Sequence, residues 1–308
     1  MSQRLRHRAA VIASSIVLGS VGIVPLVVQA GEAPAIFRIG VTQGARPVEL
    51  NPFQTTSGMG YSLLADRYDL LVGFGEDLSA APGLAETWSI SDDGLVWTYA
   101  IRDGATWQDG QPVTAEDVRF TFQYIIDSHD PAYTGPAAPA GNDTDADGSA
   151  DNPLSLFDSY LDLDGGLEST RIIDVAAPDA TTVTITTSEP LATLSQIFIP
   201  ILPKHIWETI PYAQSANERI ELDQAIGSGP FQIVEFQNAQ FMRLIAHDGY
   251  WGGRPHIDEL IYQYFENDEA QVNALGDGSV DFLDNFPPGL ISALEGDPNI
   301  TINRAPST

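Results

Sequence analysis

Short alternations of apolar and polar residues run through residues 82–128 and end in a helical pattern. Residues 85–90 and 95–101 are strand-length segments rich in apolar and aromatic side chains, and a Ser-Asp-Asp-Gly turn ending at Gly94 separates them. Glycine accepts the positive φ that a tight hairpin turn requires. The pattern therefore predicts two strands joined as a hairpin.

A helix is predicted directly after these strands. Val118, Phe122 and Ile125 recur at helical spacing and give the segment one apolar face. Thr114 is placed to cap its first turn, and Asp117 follows at the third position after it, which is the spacing of a capping box. The strands and turns thus lead without interruption into one amphipathic helix.

The same patterns predict elements along the rest of the chain. Alternating or apolar segments predict strands, and helical spacing predicts helices. The predicted strands cover residues 37–42, 171–175, 181–187, 241–246 and 259–265, and the predicted helices cover residues 61–71 and 269–275. The segment Gly227-Ser228-Gly229, which Pro230 follows, is interpreted as a turn that enters another strand.

The composition is typical of a folded protein with one large or two ordinary domains. The chain has 308 residues, of which 43% are hydrophobic, so a packed core is expected. No cysteine is present. This excludes disulfides, thiolate metal sites, a cysteine nucleophile and a lipid anchor attached through cysteine.

Acidic residues dominate the charge of the chain. The formal net charge is −28, from 42 acidic and 14 basic residues. A nucleic-acid-binding protein needs the opposite balance, so no nucleic-acid partner is expected. Salt screens the self-repulsion of so acidic a chain, which indicates either a saline extracytoplasmic setting or an ordinary acidic periplasmic protein.

Residues 1–30 are predicted to be a signal peptide. Three arginines form a basic start, residues 9–28 are mostly apolar, and small residues lead to Ala30. Cleavage would make Gly31 the first residue of the secreted protein, and the alternative is a retained membrane anchor. A periplasmic or extracellular location is therefore expected.

An acidic loop is predicted over residues 135–165, and part of it has the spacing of a calcium loop. Carboxylates alternate there, Gly148 stands at the sixth place, and Leu154 occupies the twelfth place, where an EF-hand has glutamate. A complete EF-hand is therefore excluded. A looser structural calcium site and a solvated acidic insertion both stay open. The four candidate ligands are Asp143, Asp145, Asp147 and Asp151.

No catalytic motif is found in the sequence. The G-x-S-x-G, H-E-x-x-H, P-loop and G-x-G-x-x-G patterns are all missing. Carboxylate pairs carry little information in a chain this acidic. We therefore expect a binding protein without enzymatic activity. The alternatives are a secreted hydrolase and a calcium-stabilised surface interaction module.

The order of the motifs between residues 84 and 118 resembles a known family. A Leu-Ala-Glu-x-Trp strand, a Ser-Asp-Asp-Gly turn, an Arg-x-Gly turn, an Asp-Gly-x-Pro turn and a Thr-Ala-Glu-Asp-Val helix start follow one another. Leu50-Asn51-Pro52 stands earlier in the chain. This arrangement is similar to the large solute-binding proteins that serve ABC importers of peptides and nickel, and the similarity covers residues 36–304.

The resemblance implies an α/β fold with mixed sheets, built as one lobe of a two-lobed binding protein. Residues 31–65 and 196–308 would form the main part of this lobe, and residues 66–195 a β-rich inserted subdomain. Residues 300–304 look like the strand that leads into the hinge. The second lobe is therefore expected to be missing from this chain.

The resemblance also implies a binding cleft and partners. The solute would be an oligopeptide or a similar small molecule, passed to the transmembrane subunits of an ABC permease by a protein that is monomeric when full length. Nickel is less favoured, because the cleft residues offer no histidine cluster, and no cofactor other than structural calcium is expected. The implied cleft residues are Thr55, Thr56, Gly58, Asp284, Asn285 and Phe286.

Overall fold

The computed structural model describes residues 33–42, 50–52, 58–75, 77–127, 161, 170–210, 220–283 and 287–303. The strands are β1 (Ile36–Thr42), β2 (Val72–Phe74), β3 (Ala80–Pro82), β4 (Ala85–Ile90), β5 (Val96–Ile101), β6 (Ile172–Asp179), β7 (Thr182–Thr187), β8 (Phe231–Gln237), β9 (Phe241–Ala246), β10 (Glu259–Phe265) and β11 (Phe282–Leu283). The helices are α1 (Gly58–Arg67), α2 (Ala115–Asp127), α3 (Lys204–Trp207) and α4 (Asp268–Gly276). Short 3-10 helices cover Ala192–Ser195 and Pro288–Ala293.

A five-stranded mixed sheet forms the main part of the fold. Its strand order is β11-β1-β10-β9-β8. Strand β1 is parallel to both β10 and β11, whereas β9 is antiparallel to β10 and to β8. The parallel strands β10 and β11 are joined through α4, and this connection passes over β1 because β1 lies between them.

The two faces of this sheet pack against different cores. Leu260, Tyr262 and Tyr264 alternate along β10 and lie in the large core, which also contains α1 residues. Phe265 points to the other face and packs in a small core with Val272 of α4. Because neighbouring residues of a strand point to opposite faces, α1 and α4 cover opposite sides of the sheet.

A second sheet is antiparallel and has the order β4-β5-β7-β6. The predicted hairpin of β4 and β5 is confirmed, and Gly94 adopts a φ of 76° in its turn. Helix α2 packs on this sheet through Val118, Phe122 and Ile125, which are buried as the helical spacing predicted. The predicted mixed α/β architecture is thereby confirmed.

Two predicted elements differ from the structure. The helix predicted over residues 61–71 begins at Gly58 and ends at Arg67. It ends there because the chain leaves the helix, and Leu70 forms an isolated β-bridge with Pro200. Ile300 and Ile302 pack against the small core, but the described residues between 300 and 303 form no strand. The strand predicted for residues 300–304 is therefore wrong over that described part.

The described elements belong to one compact unit that begins at Pro34. The four-stranded sheet uses only residues between 85 and 187, and the five-stranded sheet takes strands from both sides of that segment. The subdomain boundary predicted at residue 65 falls inside α1, and the boundaries stay predictions. In the described part of the chain, no helix is both long and apolar enough to cross a membrane.

Candidate functional site

The carboxyl ends of β1, β10 and β11 lie at one edge of the main sheet. The pairing of Ile39 with Phe282 and of Gly40 with Leu283 fixes this register. The connection after β1 leads to α1 on one face, and the connection after β10 leads to α4 on the other. Ligands of open α/β sheets bind where such connections diverge. This carboxyl edge is therefore the candidate functional site.

The predicted cleft residues follow the strands that end at this edge, but most of them lie outside the described residues. Gly58 is the first residue of α1. Thr55, Thr56 and the segment Asp284-Asn285-Phe286 belong to the undescribed parts, as do the four aspartates of the calcium prediction. Their roles in binding a solute or calcium stay predictions.

Arg67 connects the end of α1 to the turn that precedes the predicted cleft loop. Its Nη1 donates a hydrogen bond of 2.6 Å to the carbonyl oxygen of Leu50, and the turn of Leu50, Asn51 and Pro52 is buried. This hydrogen bond holds the end of α1 against the buried turn of Leu50, Asn51 and Pro52.

The segment Gly227-Ser228-Gly229 packs directly against the end of α1. The amide of Gly229 donates to the carbonyl oxygen of Arg67 at 2.8 Å. A Cβ atom at Gly227 would lie 1.9 Å from that same oxygen. The hydroxyl of Ser228 is fully buried and accepts a hydrogen bond of 3.0 Å from the amide of Asp69. Both glycines are required for close backbone approach, and Ser228 acts as a structural acceptor in a site that solvent does not reach.

The buried carboxyl group of Asp69 and the half-buried one of Asp66 lie on either side of Arg67 in the sequence, and the sequence patterns indicated neither. Asp69 accepts hydrogen bonds from the Tyr250 hydroxyl at 3.0 Å and from Nε1 of Trp251 at 3.1 Å. Burial raises the pKa of Asp69 to about 6 despite these donors. Asp66 accepts a hydrogen bond from the Tyr262 hydroxyl, and burial raises its pKa to about 6. These groups tie the end of α1 to β10 and to the loop after β9.

Gln108 fixes the inserted sheet to the start of β8. Its side-chain oxygen accepts from the amide of Gly227 at 2.9 Å, and its side-chain nitrogen donates to the carbonyl oxygens of Gly229 at 3.2 Å and Phe231 at 2.8 Å. The amide group therefore uses both its donor and its acceptor capacity on backbone atoms. No local sequence pattern indicates this role.

Asp117 joins the second sheet to the segment that returns to the main sheet. Its Oδ2 accepts from the amide and the hydroxyl of Thr114 at 2.8 and 2.9 Å, and its Oδ1 accepts from the amide of Lys204 at 3.0 Å. The carboxylate half of the predicted capping box is confirmed, since the Thr114 hydroxyl itself donates to Asp117. One carboxylate therefore serves the first turns of α2 and α3.

A groove of about 930 Å³ lies beside β11, where Phe37 and Phe282 have ring centroids 6.2 Å apart. It is lined by Phe37 near the start of β1, by both residues of β11, by the end of α4 and by the segment around Ile300. Among the described residues, no group of three or more histidine, aspartate or glutamate side chains could hold a metal ion.

The fold and its carboxyl edge define an α/β lobe of the binding-protein class, and comparisons with known proteins identify the family. Residues 79–308 match the family described as bacterial extracellular solute-binding proteins, family 5 Middle. The chain belongs to this family, which confirms the resemblance seen in the sequence.

Named relatives and solved structures agree with this assignment. A Brucella ovis protein provisionally named as an ABC transporter peptide-binding protein is 31% identical over 237 residues, which are 75% of this chain and 38% of that protein. The dipeptide-binding protein of Escherichia coli is 28% identical over 274 residues, which are 84% of this chain and 47% of that protein. The chain thus spans less than half the length of both relatives.

The structure of the oligopeptide-binding protein AppA from Bacillus subtilis, in complex with a nonapeptide, superposes with a TM-score of 0.67. The match covers 87% of this chain and 47% of that one at 23% identity. At this identity the similarity shows the shared fold. It supports the predicted lobe of mixed sheets.

Proposed function

We propose that this chain supplies one wall of the solute-binding site of an ABC importer's extracytoplasmic binding protein. The family assignment carries this proposal, and the relatives with peptide-binding names favour an oligopeptide-like solute. The solute would lie at the carboxyl edge of the main sheet. Thr55, Thr56 and Gly58 would contact it from one side, and the segment Asp284-Asn285-Phe286 from the other.

Binding would proceed without chemical change of the solute. The hydroxyl of Ser228, between Gly227 and Gly229, is buried and already accepts a hydrogen bond from the amide of Asp69. The secreted-hydrolase alternative has no support from the family match. Release of the solute to the transmembrane subunits of a permease would complete the function, in a periplasmic or extracellular location reached through the predicted signal peptide.

Native mass spectrometry and calorimetry of residues 31–308 against a mixture of short peptides test the proposal. We expect saturable binding without hydrolysis, and a dissociation constant of roughly millimolar or weaker, about 4 kcal/mol, because one lobe encloses only part of the solute surface. Asp284→Ala should weaken this binding, and Asp103→Ala in an exposed turn should leave it unchanged. Peptide turnover, or the absence of saturable binding up to the solubility limit of the peptides, would contradict the proposal.

A further inference from the structure

The groove beside β11 lies at an edge of the main sheet and has largely apolar walls. Its volume is about 930 Å³, which falls within the range of about 300 to 1,000 Å³ that is typical of small-molecule sites. Phe282 is 42% exposed, and its ring centroid lies 6.2 Å from that of Phe37. Ile300 and Ile302 add apolar surface from the segment that follows the second 3-10 helix. The groove therefore has room and an apolar surface for a small ligand.

The charged side chains that line the groove in the described part of the chain are all carboxylates, from Asp277, Asp281 and Asp297. The amide two residues further on donates to Asp277 at 2.9 Å and to Asp297 at 2.8 Å, and the amide of Arg38 donates to Asp281 at 2.8 Å. The second oxygen of each carboxylate has no hydrogen-bond partner among the described residues. Arg38 also places Nη1 3.7 Å from Asp281. One cation beside three carboxylates leaves the groove negative.

Two larger kinds of occupant fit the groove poorly. Strand β11 consists of Phe282 and Leu283 alone, and an added peptide strand needs a longer edge, since strands usually have about 3 to 10 residues. A second copy of the chain would bring a further net charge of −28, and the repulsion between the copies opposes their association. A small cation with an apolar body complements both the carboxylates and the aromatic rings.

We propose that this groove binds a small organic amine, in which a primary ammonium group is attached to an aromatic or other apolar body. The ammonium group donates to the carboxylate oxygens of the groove that the backbone amides leave unused. The apolar body lies against Phe37 and Phe282. Its burial supplies affinity, and the carboxylates select for the positive charge. This site is additional to the proposed solute site and uses none of the predicted cleft residues.

Isothermal titration calorimetry of the protein with three matched probes tests the amine site. Tryptamine carries both an ammonium group and an apolar indole, tryptophol has a hydroxyl in place of the ammonium group, and ethylamine lacks the indole. We expect tryptamine to bind saturably and roughly tenfold more tightly than either of the others, because it alone makes both kinds of contact. Equal affinities of tryptamine and ethylamine would overturn the proposal, since any cation is attracted to so acidic a chain. Equal affinities of tryptamine and tryptophol would overturn it as well.

Isosteric substitutions locate the site. The triple variant Asp277→Asn, Asp281→Asn, Asp297→Asn removes the charges, while each new amide oxygen can still accept the backbone hydrogen bond. It should weaken tryptamine binding roughly tenfold and leave tryptophol binding unchanged. The matched control neutralises three exposed carboxylates outside the groove that also accept from the amide two residues further on: Asp77→Asn, Asp93→Asn and Asp179→Asn. An equal loss of tryptamine affinity in the two triple variants would refute the site.

Nuclear magnetic resonance of the unchanged protein provides a second test if the groove variant does not fold. Tryptamine should shift the amide resonances of residues 276–283 and 299–303, which line the groove, and should leave those of residues 85–101 in the second sheet unchanged. Tryptamine-induced shifts that spare residues 276–283 and 299–303 would overturn the proposal.

Discussion

Nε1 of Trp251 donates a hydrogen bond of 3.1 Å to the buried carboxyl group of Asp69, while the guanidinium of Arg102 lies 4.0 Å from the centroid of the same indole ring. Arg102 also pairs with Glu86 of β4 at 2.9 Å. Trp251 therefore stands between a charge of the inserted sheet and a carboxyl group at the end of α1. This contact couples the two sheets through one aromatic side chain.

Asp69 should make the protein more stable in mild acid. Burial raises its pKa in the folded state from 3.8 to about 6, so the folded state binds the proton more tightly than the unfolded state. The stability contributed by this proton is fully present below about pH 4 and is lost as the pH rises through 6. Asp69→Asn should remove on the order of 2 kcal/mol of this pH dependence, measured by denaturant unfolding between pH 4 and 7.

The control for this experiment is Asp77→Asn. Asp77 is exposed, and hydrogen bonds from Ser79 lower its pKa, so its contribution to the pH dependence has the opposite sign. The increase in stability from pH 7 to pH 4 should therefore persist in Asp77→Asn. The interpretation fails if Asp69→Asn follows the wild-type pH curve, since other carboxyl groups would then account for the gain.

Gly227 should not tolerate a methyl group. A Cβ atom would lie 1.9 Å from the carbonyl oxygen of Arg67, and that oxygen belongs to backbone that cannot move alone. We expect Gly227→Ala to destabilise the protein by about 3 kcal/mol. Gly276→Ala is the control, because no atom lies within 4 Å of the added Cβ at the end of α4. Chemical denaturation that shows equal midpoints for the two variants would contradict the close approach.

Gln108 should not be replaceable by its closest isostere at neutral pH. A glutamate carboxylate would accept from Gly227 but could not donate to the carbonyl oxygens of Gly229 and Phe231. Gln108→Glu should therefore cost about 2 kcal/mol or more at pH 7. Two carbonyl oxygens beside the new carboxyl group would raise its pKa, so stability should return as the pH falls. Gln108→Ala should lose stability both at pH 7 and at acidic pH. The difference in stability between the two variants isolates the contribution of the donated hydrogen bonds.

The strands were predictable because their apolar alternation is local. The predicted bounds of β4, β9 and β10 agree with the structure. Helix α1 was predicted too far along the chain, because Tyr68 and Leu71 continue its apolar spacing although the chain has already turned toward Pro200. That bridge spans a long sequence separation, and no local pattern indicates it.

The site was predictable only as a position along the chain. The position of the carboxyl edge depends on the pairing of parallel strands, which a single sequence does not reveal. The family resemblance supplied the predicted cleft residues instead. Asp66 and Asp69 were missed because 42 acidic residues make any one carboxylate uninformative. Their significance comes from burial next to Arg67, which depends on the contact between α1 and the glycines before β8.

Salt should stabilise the folded chain. The described cations on the surface are already paired with carboxylates. The chain has 42 acidic and 14 basic residues, so most of its carboxylates have no basic partner. Repulsion among unpaired carboxylates then exceeds the small attraction of the exposed pairs, and salt screens both. The unfolding midpoint should rise between about 0.05 and 1 M ionic strength, where the Debye length falls to roughly 3 Å. A falling midpoint would show that the ion pairs dominate.

The acidic loop provides the remaining prediction, because its aspartates have the spacing of calcium ligands. If Asp143, Asp145, Asp147 and Asp151 bind calcium in the folded state, calcium raises the unfolding midpoint by mass action. Midpoints with calcium and with chelator, at fixed ionic strength, separate binding from the screening effect of salt. Magnesium should substitute poorly, because it holds its water and requires a tighter octahedron. Asp145→Asn should weaken the calcium effect, whereas equal midpoints with calcium and chelator in the wild type would leave the loop as a solvated acidic insertion.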